Sequence, residues 1–216
     1  MNDIPKVYVD ANVLKFSATK LLRIVPKNKK IRNWHGKVTG ILVNSIEYVN
    51  LNKWIKNPKL KKEAKLLPQV AELIKAQRLR ALINFETDLE SWGLPNMDSA
   101  TGKFYGAPIE YIEAPIKYSR ITGGFGYGWK DLQYEFLKKI KNKRFRQLQK
   151  ATGAYQGSKR LNQNQLLDAF HLWCAEYNKC DFFLTLDFKL IKMMKKAKLP
   201  LNNLTLVRPS ELLKEI

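Results

Sequence analysis

Cysteine and histidine are almost absent from this chain, with two of each in 216 residues. Cys174 and Cys180 lie six positions apart, which matches neither a zinc-knuckle nor a C-x-x-C redox spacing. Both sit in the apolar stretch FHLWCAEYNKCDFF and read as buried free thiols of a reducing compartment. With only His35 and His171 to add, a structural zinc site has too few ligands. Long apolar runs are also missing. None approaches the ~20 residues of a membrane span, and MNDIPK carries no signal-peptide core. The expectation is a cytoplasmic protein with no membrane partner.

Acidic residues are scarce as well, 19 against 39 lysines and arginines, for a net charge of +20. An excess of this size attracts polyanions, nucleic acid foremost. It is also clustered. Residues 15 to 37 hold Lys15, Lys20, Arg23, Lys27, Lys29, Lys30, Arg32 and Lys37 with no acid among them. Residues 130 to 160 are similarly basic, broken only by Asp131 and Glu135, and Lys138, Lys139, Lys143, Arg144 and Arg146 are the nucleic-acid-binding candidates there. No strongly amphipathic helix coincides with these clusters, which argues against a membrane surface.

At 45% hydrophobic the chain can bury a core, and without repeats or low-complexity linkers it reads as a single domain over 1–216. Residues 6–14 form a first strand. Residues 21–50 suggest an inserted β-hairpin or small sheet. From Asn57 to Gln77 the apolar spacing is helical, with Pro68 expected to kink or split it. RLRALINF (78–85) is the next strand, ETDLESW a helix, and 96–128 a loop-rich stretch. A basic helix spans about 129–150. The helix QLLDAFHLWCAEYNK follows, capped by Asn162 or Asn164. DFFLTL (181–186), FKLIKMMKKA and LTLVRP complete the chain as strand, helix and strand. Strands alternating with helices predict an α/β fold around a mainly parallel sheet, whose ligand site lies beyond the carboxyl ends of the strands.

The scarce acids fall at those ends. VYVD and FFLTLD are apolar strands terminating in Asp10 and Asp187. Asp168 lies early in a helix apolar almost all round, and such a helix is buried. Glu86 and Glu90, one helical turn apart, follow another strand. Each has an ordinary alternative: helix cap for Asp10 and Asp187, partner of the helix dipole for Asp168, solvated surface for either glutamate. Their coincidence is the stronger signal. Crowded carboxylates raise one another's pKa unless a cation lies between them, and hard oxygen donors select Mg²⁺ or Mn²⁺. An acidic metal site in a basic protein points to a phosphodiester substrate.

These motifs resemble the PIN-domain family of metal-dependent nucleases. VDANVL is similar to its first motif, a strand ending in Asp followed by a small residue and Asn. LLDAFHLWCAEYNKCDFFLTLDFKL is similar to its third and fourth, with Asp168, Ala175, Thr185 and Asp187 in the matching places. LINFETDLESWG matches the second, with Thr87 and Glu90 fitting best and Glu86 as the alternative. The resemblance covers about 6–15, 78–93 and 164–207. It leaves two basic insertions, about 16–57 and 96–160. It implies a Rossmann-like three-layer sandwich and a phosphodiesterase, most often an endoribonuclease. Asp10, Glu90, Asp168 and Asp187 would hold Mg²⁺ or Mn²⁺ as catalytic ligands, with Asn12 and Thr185 supporting them. RNA rather than DNA is then the expected partner. The family also includes toxins held by antitoxin-like proteins, and a homodimer is one oligomeric state left open.

GGFGYG (123–128) is neither a G-x-G-x-x-G nor a P-loop motif. It reads as a flexible loop whose Phe125, Tyr127 and Trp129 can stack on bases. His171 reads as a packed or hydrogen-bonding histidine. Lys189, Lys192 and Lys196 read as a solvated helix face within reach of phosphates.

Overall fold

Val7, Tyr8 and Val9, β-branched and aromatic, form the middle of a strand with no exposed surface on either side. A computed structural model describes residues 3–17, 20–32, 35–50, 55–92, 103–119, 128–154 and 162–216. In it β1 (Lys6–Val9) is the central strand of a five-stranded, all-parallel sheet. The other strands are β4 (Arg80–Ile83), β5 (Ile109–Tyr111), β6 (Phe182–Leu184) and β7 (Thr205–Val207), and the spatial order is β5-β4-β1-β6-β7. Tyr8 sits in register with Leu82 on one side and Phe183 on the other. This is the expected α/β sheet.

The strands alternate between two packed layers, as their period-2 geometry requires. Tyr8, Leu82 and Phe183 face one layer, and Val7, Val9, Ala81, Ile83 and Leu184 face the other. Helices α5 (Trp129–Lys139), α6 (Lys143–Thr152), α7 (Gln163–Tyr177) and α8 (Phe188–Ala197) supply the first layer through Leu137, Phe145, Leu148, Phe170 and Leu190. Helices α1 (Ala11–Ser17), α3 (Leu67–Lys75) and α9 (Pro209–Glu215) supply the second through Leu14, Leu67, Val70, Ile74 and Leu212. Both cysteines are buried and free, and burial pushes the Cys180 thiol up to about 12. Among the described residues no helix is long and apolar enough to cross a membrane.

Several boundaries differ from the expectation. The first strand does not run to residue 14. The carbonyl of Asp10 accepts hydrogen bonds from Val13 N (2.9 Å) and Leu14 N (3.3 Å), so the chain turns into α1 at once. The helical stretch 57–77 is split, as Pro68 suggested, into α2 (Pro58–Ala64) and α3. The basic segment 129–150 is two helices, because Ile140 is extended and Asn142 caps α6 by accepting from Phe145 N. Strand β5, helix α9 and helix α4 (Phe85–Trp92), which starts one residue early, complete the account. The region 21–50 is a hairpin of two thirteen-residue antiparallel strands, β2 (Lys20–Arg32) and β3 (Val38–Asn50). The loop glycines 123–127, with Phe125 and Tyr127, lie outside the described residues, as does the side chain of Trp129.

Candidate metal centre

The strand order places one point of the sheet apart from the rest. From β1 the chain moves outward to β4 and β5, then returns to the opposite side for β6 and β7. Connections leaving β1 and β6 therefore diverge, which opens a crevice at their carboxyl ends where α/β sheets bind ligands. Asp10 is the first residue after β1, and Thr185 the first after β6.

These two ends are laced together. Thr185 Oγ1 donates to Asp10 Oδ2 at 2.6 Å, and Asn12 Nδ2 donates to the same oxygen at 2.5 Å. Asn12 Oδ1 accepts from Leu186 N (2.9 Å), and Thr185 Oγ1 accepts from Asp187 N (3.0 Å). Asn12 and Thr185, expected as supporting residues, thus orient the Asp10 carboxylate and join the first turn of α1 to the exit of β6.

The crevice is a cleft of about 340 Å³ lined by Asp10, Asn12, Glu90 and Asp168 among others. Asp168 comes from the second turn of α7, which Asn162 caps by accepting from Asn164 N and Gln165 N. Glu90 comes from α4. Of the two glutamates there, Glu86 is fully buried and accepts from Gln133 Nε2 (2.7 Å), while Glu90 opens to the cleft. Gln133 on α5 stands in the cleft wall in front of Glu86. Geometry therefore favours Glu90.

Burial raises the Asp10 pKa from 3.8 to about 6, against the pull of His171 and the Thr185 hydrogen bond, and Glu90 adds to the rise. Asp168 is raised well above the usual range, first by burial and then by Asp10, with Asp187 and Glu90 contributing. Asp168 thus feels the charge of the other three acids. His171 balances part of it. Burial alone would lower its pKa, but hydrogen bonding to Glu90 and the nearby carboxylates raise it. Its Nε2 lies 2.7 Å from Glu90 Oε2, and its Nδ1 lies 3.0 Å from the hydroxyl of Tyr8, which also bonds Thr87 Oγ1 (2.6 Å). The histidine is a buried brace for Glu90.

Asp187 behaves differently. Its Oδ1 accepts from Lys189 N (2.7 Å) and Leu190 N (2.9 Å), capping α8, and it is not among the residues lining the cleft. Among the described residues, no three His, Cys, Asp or Glu side chains stand close enough to enclose one ion as they are placed. For Asp10, Glu90 and Asp168 to hold one ion, side-chain rotation or bridging water would have to complete its shell.

No protein-family model, curated protein or solved structure matches the chain. The site is therefore read from its geometry.

The donor set nonetheless suits a hard divalent cation. Asp10 is a buried and Asp168 a half-buried carboxylate, both held back from ionising, and the cleft supplies oxygen donors without thiolate. Lys15 and Lys130, also at the cleft, were read only as parts of the two basic clusters, because they are two lysines among many. Gln163 and Asn164 escaped the sequence reading as cleft residues, although their place one turn before Asp168 was a usable signal.

The basic candidates divide. Lys143 and Arg146 line a second hollow of about 390 Å³ with Lys141 and Lys150. Lys138 is exposed beside Glu135 (3.5 Å), and Lys139 ends α5. Arg144 does not belong with them. Its guanidinium donates to the buried Glu176 through Nε (2.9 Å) and Nη2, and to Pro200 O (2.6 Å). That fork pins α6 to α7 and engages the Arg144 guanidinium within the protein.

Proposed function

We propose that this protein is a phosphodiester hydrolase dependent on Mg²⁺ or Mn²⁺, acting on RNA. The observation that carries the proposal is the convergence of Asp10, Glu90 and Asp168, from three distant parts of the chain, on the crevice where the sheet's connections diverge. In a chain of net charge +20, acids are the rarer type, yet here they gather in one cleft. A basic exterior draws in a polyanion, and an acidic cleft holds the cation that neutralises its phosphate.

Asp10, Glu90 and Asp168 would hold the ion, and Asp187 would act on it through the field it exerts on Asp168. A bound ion would supply Lewis acidity at a phosphoryl oxygen. The chain's own residues do the rest. Asn12 and Thr185 fix the Asp10 carboxylate, and His171 fixes Glu90. Lys15 and Lys130 also line the cleft, where they would meet phosphates of the bound strand.

Labelled RNA incubated with the protein and Mg²⁺ or Mn²⁺ tests this reading. The expected result is cleavage that EDTA stops and Asp10→Asn abolishes. Cleavage that survives both treatments, or none with either ion, overturns it.

A further inference from the structure

The hairpin β2–β3 is the part of the molecule least accounted for by the core. Among the described residues its strands pair with each other along thirteen register positions and make no extensive packing with any other element. At about 3.4 Å per residue the ribbon extends roughly 40 Å. An isolated two-stranded hairpin is marginally stable in water, so the described outer half of the ribbon, which no other element supports, suits a surface that covers it in use.

Its charge says which surface. From Ala11 to Ile46 the sequence contains no acidic residue, while Lys27, Lys29, Lys30, Arg32 and Lys37 lie exposed on the outer half. The pairing alternates these between the two faces. Lys29 stands opposite Ile41 and Ile31 opposite Thr39 on one face, and Lys30 stands opposite Gly40 and Arg32 opposite Val38 on the other. Leu42 is 72% exposed and Val38 54%, so aliphatic surface lies between the cations. Another copy of this chain would bring like charges together across the contact, which disfavours self-association. A polyanion meets both features, its phosphates at the cations and its sugars and base edges at the aliphatic side chains.

We infer that the hairpin is an arm that docks the RNA strand outside the cleft, through Lys29, Lys30 and Arg32 on its outer half. The inference rests on the RNA reading of the cleft for the identity of the strand, but docking by the arm does not require cleavage. The arm recognises backbone rather than sequence, because its cations are lysines and an arginine on a ribbon without a fixed fork.

The experiment uses the full-length chain carrying Asp10→Asn, in EDTA, with a fluorescein-labelled single-stranded RNA of about 30 nucleotides, followed by anisotropy over a salt series. The triple variant K29E/K30E/R32E is compared with K59E/K62E/K65E, which makes the same charge change on and just after α2. The hairpin variant should bind about 10- to 100-fold more weakly at 0.1 M salt, with the slope of log affinity against log salt shallower by about 2. The α2 variant should retain affinity within about threefold, and thermal melting of both should match the parent. Equal losses in the two variants would reduce the effect to net charge and overturn the arm. So would unchanged binding by the hairpin variant. A parent dimer in sedimentation that the hairpin reversal dissociates, with RNA affinity intact, overturns it in favour of a second copy. Salt-sensitive docking lost by the hairpin variant, in a protein whose Asp10 form cleaves nothing, would sink the cleft reading and leave the arm standing.

Discussion

The cleft and the hairpin carry opposite charges on opposite kinds of scaffold. Asp10 follows three fully buried strand residues, and its carboxylate is held by Asn12 and Thr185 within hydrogen-bonding distance. Lys29, Lys30 and Arg32 stand exposed on a ribbon that nothing described supports. A buried charge interacts strongly and must be balanced locally, so each acid in the cleft matters by itself. An exposed cation is screened and contributes little alone, so the arm acts only by number. The cleft holds its acids where the dielectric is low, and the hairpin holds its cations where it is high.

That contrast is sharpest for the scaffold itself. Tyr8 is fully buried, stacks on Phe183 with ring centroids 5.2 Å apart, and bonds Thr87 and His171. Tyr8→Ala should destabilise the protein by about 3–5 kcal/mol, as large-to-small changes in cores do, measured by urea unfolding. A loss under 1 kcal/mol would mean that the sheet centre does not carry the fold.

Next in size comes pH. The folded-state pKa of Asp10 lies above its ordinary value, about 6 against 3.8. Its contribution is therefore fully present below about pH 4 and lost as pH rises through about 6. Asp168 is shifted upward as well and acts in the same direction, and His171, also raised, loses its contribution only above its ordinary 6.5. Without divalent ions, stability should fall across this window, by about 3 kcal/mol for Asp10 alone at the upper limit of the linkage relation. Asp10→Asn should flatten the fall, and Mg²⁺ should offset it in the parent. Stability that instead rises from pH 4 to 6 would contradict the account of the cleft.

The smallest effect belongs to the hairpin. Leu42→Ser removes an exposed side chain and should change stability by no more than about 0.5 kcal/mol. A loss of 2 kcal/mol would show that the ribbon packs on the body and is no arm.

What the sequence disclosed follows the same division. The inner strands were legible because VYV, RALI and FFL are short apolar runs bounded by polar residues. Strand β5 was not, since Glu110 and Tyr111 are exposed at the sheet's edge and break the apolar signal. Helix α9 was missed because PSELLKE reads as a polar tail, although Leu212 and Leu213 anchor it to the core. Asp10 and Asp168 stood out as charges in apolar surroundings. Glu86 and Glu90 share a helix face, and the sequence preferred Glu90 only through its fit to the resembled motif. The choice needs Gln133, which lies far along the chain and bonds Glu86 from another helix. Asp187 shows the converse. Its place at a strand's end suggested a ligand, while its carboxylate caps α8.

A crystal of the full chain soaked in Mn²⁺ and recorded near the manganese absorption edge tests the central claim most directly. The account predicts an anomalous peak in the cleft, in contact with the carboxylates of Asp10 and Asp168 and lost in Asp10→Asn. A cleft without manganese, in crystals that show the ion bound elsewhere on the protein, would contradict it.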